Sequence, residues 1–147
     1  MERKKKDSVE NRHVFKNTTG KKKYYYSVFT TGLGSNEAKG PIVEITMKSG
    51  SKYKGEINEK NEREGFGVYE VINGGTYAGN WFKGFKHGFG EFTNRDNIVE
   101  YSGQWEYGEP HGEGKLFNRY GKLVYEGEFL KGKVKGGKFW SDYKNSK

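Results

Sequence analysis

Cysteine is absent from the 147-residue chain, so it can build no disulfide, thiolate metal site or cysteine nucleophile. Leu occurs only at positions 33, 116, 123 and 130, and Ala only at 38 and 78. These residues fill helix interiors, and their scarcity speaks against a helical bundle. No apolar run approaches the roughly 20 residues that cross a bilayer, which argues against a transmembrane helix. Met1-Glu2-Arg3-Lys4-Lys5-Lys6 is followed by no apolar stretch and does not read as a secretory signal. Glu2 does not fit N-myristoylation, and Asn145-Ser146-Lys147 does not fit prenylation. The expectation is a soluble, intracellular protein.

Aromatic residues make up 16% of the chain, and 23 residues are Gly. A net charge of +8 with few aliphatics would fit a disordered chain, but each aromatic ring can bury a large area. Gly, aromatics and β-branched residues suit short strands and tight turns. The charge is concentrated at one end. Residues 1–52 hold 12 Lys/Arg against 5 Asp/Glu, whereas residues 53–147 hold 15 against 14. Residues 1–23 read as a flexible basic arm, with Arg3, Lys4, Lys5, Lys6, Lys21, Lys22 and Lys23 as its contacts to an anionic surface. Lys outnumbers Arg 22 to 5, which disfavours bidentate readout of bases and argues against nucleic acid as a partner.

The chain is periodic. Tyr53, Tyr77, Tyr101 and Tyr125 recur every 24 residues, each opening a Tyr-x-Gly-x-apolar segment. A second segment follows with Gly65, Gly88, Gly112 and Gly136 in register, and Gly67, Gly90 and Gly114 two residues on in the first three units. Four residues after the first Gly come Tyr69, Phe92, Leu116 and Trp140. A fixed period of this length indicates a stacked array. Within each segment the marked residues fall at every second position, so they share one face of a strand. Each unit is therefore expected to be a β-hairpin, near 53–69, 77–93, 101–117 and 125–140. Lys83–His87 and Glu106–His111 are the expected turns inside units. Asn73-Gly74-Gly75, Arg95-Asp96-Asn97 and Arg119–Lys122 are the expected turns between them. The opposite face, with Asn80, Glu91, Ser102, Gln104, Glu113 and Lys115, is expected to be mostly polar. Gly on the marked face is expected to make room for rings from neighbouring strands.

The unit Tyr-x-Gly-x-Trp, a Gly turn, then His-Gly-x-Gly-x-aromatic resembles the MORN (membrane occupation and recognition nexus) repeat. The match is closest at Tyr77–Asn97 and Tyr101–Gly121. The first unit departs with Ile57 at the Trp position and Glu64 at the His position. The fourth departs with Phe129 for Trp, Lys135 for His and Lys138 for the second Gly. The resemblance implies an all-β, elongated, single-layer antiparallel sheet of stacked hairpins with an aromatic groove and no enzymatic chemistry. Four units would span 53–140. Residues 24–52 read as a degenerate capping unit, because Phe29 lies 24 residues before Tyr53, and residues 141–147 form a C-terminal tail.

His87 and His111 occupy equivalent places, expected about 10 Å apart, too far for one metal ion. A structural turn role is expected for them, and neither a metal nor another cofactor. The Glu residues of the polar face have no cleft in which to act as paired acids, so no catalytic residue is assigned. The groove candidates are Tyr77, Trp81, Phe92, Tyr101, Trp105, Leu116, Tyr125 and Phe129. They are read as both core and partner groove, since a single-layer sheet needs a partner, a second copy or a chain end over its rings. The expected function is a non-catalytic scaffold that docks a helix or peptide of a protein partner. Proteins similar to this one occur in radial spoke heads and membrane-associated cytoskeletal complexes, so the resemblance implies a cytoskeletal or ciliary setting. The alternative is an anionic-phospholipid adaptor at the cytoplasmic face of a membrane, anchored by the basic arm.

Overall fold

The computed structural model describes residues 12–16, 23–27 and 42–140. The chain divides into two compact units, residues 1–38 and 39–147. In the first, β1 (Arg12–Lys16) pairs antiparallel with β2 (Lys23–Ser27), Arg12 facing Ser27. The rest of the basic arm lies outside the described residues, as do Phe29 and Gly40 of the expected capping unit and the tail 141–147.

The second unit is one antiparallel sheet of nine strands, with no helix among the described residues. Its strands are β3 (Ile42–Thr46), β4 (Lys52–Ile57), β5 (Arg63–Glu70), β6 (Thr76–Phe82), β7 (Phe85–Thr93), β8 (Val99–Glu106), β9 (Glu109–Phe117), β10 (Leu123–Leu130) and β11 (Lys133–Phe139). Spatial order equals chain order, so every connection is a hairpin. The four expected hairpins are present as β4–β5, β6–β7, β8–β9 and β10–β11, and β3 adds one strand at the N-terminal edge.

Turn chemistry sets the register. Inside the second to fourth units the turns have only two residues, Lys83-Gly84, Tyr107-Gly108 and Lys131-Gly132, all with positive φ. Two successive positive φ values match the right-handed twist of the flanking strands, and Gly adopts the second without strain. These turns are shorter than expected, so Phe85, Lys86 and His87 belong to β7, and Glu109, Pro110 and His111 to β9. The loops between units are longer and close on themselves. Asn94 and Asn118 each donate their backbone N–H to the carbonyl four residues on, at 2.9 Å. Their Oδ1 atoms accept the N–H of Asp96 and Ile98, and of Tyr120 and Lys122.

The fourth unit differs from its expected alignment. Gly79 faces Gly90 and Gly103 faces Gly114, but Gly127 faces Gly137. The bulge in β11 is one residue shorter than those in β7 and β9. Gly137 therefore takes the second-Gly place, Lys138 moves to the opposite face against Glu126, and Phe139, not Trp140, faces Tyr125.

Candidate functional site

The face carrying the periodic tyrosines, here the front, holds the core. Its rings form an unbroken edge-to-face chain. Tyr53 meets Trp81 at 5.5 Å and 85°, Trp81 meets Tyr77 at 5.1 Å, and Tyr77 meets Trp105 at 5.1 Å. Trp105 then meets Tyr101, Tyr101 meets Phe129, and Phe129 meets Tyr125, at 5.1 to 5.2 Å and 86° to 87°. Each such pair contributes about 0.5–1.5 kcal/mol beyond its area. The rings shield one another, and this is how a single-layer sheet comes to have an interior.

Glycine makes the chain possible. A carbon added at Gly90 would run into the Tyr77 ring, and one at Gly79 into the Gly90 backbone. The same holds for Gly114 beneath Tyr101 and Gly67 beneath Tyr53. Each tyrosine then reaches back to its own strand. The hydroxyls of Tyr53, Tyr77, Tyr101 and Tyr125 donate to the carbonyls of Glu56, Asn80, Gln104 and Glu128 at 2.6 to 2.8 Å. Burial pushes the Tyr53, Tyr77 and Tyr101 phenols above their usual range, which keeps them as neutral donors. The two central indoles tie each unit to the one before. Trp81 Nε1–H donates to the Gly67 carbonyl and Trp105 Nε1–H to the Gly90 carbonyl, both at 3.0 Å.

Of the eight groove candidates, Tyr77, Trp81, Tyr101, Trp105, Tyr125 and Phe129 are buried, the most exposed being Trp105 at 7%. They are interior, and the surface they leave is narrower than a row of exposed rings. Phe92 and Leu116 are half-buried and stand at the surface beside them, together with Tyr69, which faces Tyr53. The residues opposite the Trp position also contribute to that surface. These are Arg63 facing Ile57, Lys86 facing Trp81, Pro110 facing Trp105 and Val134 facing Phe129. Arg63 lies over Trp81 at 4.5 Å and Tyr69 at 5.3 Å. Lys86 lies over Trp105 at 5.0 Å, Tyr77 at 5.3 Å and Phe92 at 5.7 Å. Burial, and then the charge of Arg63, hold the Lys86 ammonium below its ordinary pKa. Neither cation belongs to the expected groove set. Arg63 is the first residue of β5 and Lys86 the second of β7, each across from the Trp position of its unit.

The opposite face is polar in its C-terminal half, where Lys115 pairs with Glu126 at 3.6 Å and Lys135 with Glu128 at 3.1 Å. Its N-terminal half is not polar: Phe66, Val68 and Ala78 are buried there. His87 and His111 serve the turns. Their Nδ1 atoms accept the N–H of Tyr107 and Lys131, first residues of the following units' turns, at 3.2 and 3.3 Å. Glu64 does the same for Lys83 at 3.0 Å. No group of three or more His, Asp or Glu among the described residues could hold a metal ion. Of the anionic-surface candidates, Arg3, Lys4, Lys5, Lys6, Lys21 and Lys22 lie outside the described residues, and Lys23 opens β2. No described helix is long and apolar enough to cross a membrane.

The MORN repeat family matches this chain at residues 53–76, 77–98 and 101–118. Those segments are the first three hairpins; the matched residues stop before the unit with the shortened bulge. No curated protein matches the chain.

Proposed function

Because the chain carries MORN repeats over residues 53–118, we propose that it is a non-catalytic scaffold whose front face docks a segment of a protein partner. MORN repeats form repeat scaffolds and are generally non-catalytic. The observation that carries the docking reading is the half-buried row Tyr69, Phe92 and Leu116, lying beside a closed ring core on a one-layer sheet. A ring chain that already shields itself needs no lid for stability, so an apolar row left beside it is available for recognition. A helix or extended strand laid along that row would meet apolar side chains repeating at every second strand. The resemblance to proteins of radial spokes and membrane-associated cytoskeleton favours a cytoskeletal or ciliary complex as the setting.

Photo-crosslinking tests this. A photoreactive residue at position 92 or 116, on the front, or at 102 or 115, on the back, is exposed to light in extract of the source cells. The proposal expects one discrete adduct from the front positions, competed away by excess unmodified chain. Adducts from the back positions alone, or from none, would refute it.

The charge of the N-terminal third supports a second reading, an anionic-lipid adaptor. It predicts that the full chain sediments with anionic but not neutral vesicles, and that deleting residues 1–23 abolishes this. Unchanged binding after the deletion would remove the arm as anchor.

A further inference from the structure

Arg63 and Lys86 are the only charged residues on the front face of the described strands; the remaining positions there are apolar, aromatic or Gly. Both are half-buried against rings, and they lie close enough for Arg63 to disfavour the charge on Lys86. Among the described residues neither has a carboxylate within ion-pair distance. Ion pairs do form elsewhere among the described residues, as Lys115–Glu126 and Lys135–Glu128 in the third and fourth units. Nearby carboxylates are committed elsewhere: Glu64 accepts the Lys83 N–H, and Glu56 packs against Gly65. Two cations drawn out of water side by side, without a counter-charge, oppose folding. At the same register position the third and fourth units carry Pro110 and Val134, so the sheet does not need a cation there.

We propose that the front face of the first three units binds an acidic amphipathic segment of a partner protein, with carboxylates on Arg63 and Lys86 and apolar side chains on Tyr69, Phe92 and Leu116. This rests on the docking reading above and names the chemistry of the docked segment. Charge complementarity selects an acidic occupant, and the rings under both cations exclude water from the contact, which strengthens it. The apolar row sets the rest. A segment that carried only charge would leave Phe92 and Leu116 in water, and a purely apolar one would bury two unpaired cations.

The test is a fluorescence-anisotropy titration of the full chain with three labelled amphipathic peptides. They share one Leu/Phe face and carry Glu, Gln or Lys on its flank. The Glu peptide is expected to bind at least about tenfold more tightly than the Gln peptide, the Lys peptide weakest, and the preference to shrink with added salt. Arg63→Gln with Lys86→Gln should cut the Glu preference to the share that the basic arm supplies, while Arg63→Lys retains it. The basic arm is present in every variant, so its own attraction for the Glu peptide cancels in the comparison. A thermal melt checks that each variant is folded. If the double variant is unfolded, Lys86→Gln alone must lower the Glu preference by about threefold or more. Equal binding of Glu and Gln peptides, both lost in Leu116→Asp, would overturn the acidic proposal and leave front-face docking standing. Binding of no peptide, or binding indifferent to Leu116→Asp, would overturn both. Binding to phosphatidylserine vesicles that needs Arg63 and Lys86, without peptide binding, would overturn the proposal in favour of a membrane surface.

Discussion

The second and fourth hairpins are built on one plan, and where they part company separates what folds the sheet from what is added to it. Both seat a tyrosine over a glycine pair and return its hydroxyl to the strand, Tyr77 to Asn80 and Tyr125 to Glu128. Both continue the ring chain. Only the second has an indole bonded to the preceding unit, a cation lying over the rings, and the longer bulge that opens at Gly88 with φ of 88°. The fourth replaces these with Phe129, Val134 and a deletion, yet its strands pair along their length. Tyrosine over a glycine pair is therefore the requirement for stacking. The Trp N–H is a reinforcement, and Lys86 contributes to the surface at a cost to the fold.

The largest way to break the comparison is to remove a ring. Tyr77→Ala, at a site 1% exposed, should cost about 3–5 kcal/mol in urea unfolding. Phe139→Ala, at a site 49% exposed on the edge strand, should cost about 1 kcal/mol or less. Equal losses would mean that the two ends of the array do not differ as described.

Exchanging the indole and phenyl groups sharpens it. Trp105→Phe keeps a ring but removes the donor to the Gly90 carbonyl, so it should cost about 1–2 kcal/mol. Phe129→Trp places an indole where the same register offers the Gly114 carbonyl, and should stabilise by about 1 kcal/mol. A thermally silent Trp105→Phe would show that the bond contributes nothing.

Alkaline pH separates the tyrosines from Lys86. The folded phenols of Tyr53, Tyr77 and Tyr101 are raised above their ordinary 10.0, so their contribution is whole below pH 10 and is lost as pH rises beyond it. The melting temperature should fall steeply above pH 10. Lys86 runs the other way. Its folded pKa lies below the ordinary 10.5, so the unfolded chain binds more protons in that window and the penalty is relieved as pH rises through it. Lys86→Met should therefore melt at or above the parent at pH 7, and the gap should close toward pH 10. A gap that widens would contradict the buried-cation account.

Much of this was legible in the sequence. The 24-residue interval placed the tyrosines, and alternation placed them on one face with Gly67, Gly90 and Gly114, because a strand has period two. Three things were not legible, for physical reasons. Lys86 sat inside an apparent five-residue turn, and only the two-residue geometry at Lys83-Gly84 moves it into the strand opposite Trp81. Counting from Gly136 could not reveal a shortened bulge, because Gly136 and Gly137 are adjacent and only pairing decides which one faces Gly127. The ring chain's self-burial depends on interplanar angles, which residue spacing does not encode. The reading of these rings as both core and partner groove was made without those angles.

The central claim is that each tyrosine needs the empty space above its glycine pair. Thermal melts of Gly90→Ala and Gly136→Ala test it most directly. An added carbon at Gly90 meets the Tyr77 ring, whereas one at Gly136 meets nothing within 4 Å. Both sites lie in second strands, and neither has a positive φ, so backbone strain does not separate them. The account predicts a loss of about 3 kcal/mol for Gly90→Ala and a change within about 0.5 kcal/mol for Gly136→Ala. Equal and small shifts at both sites would contradict it.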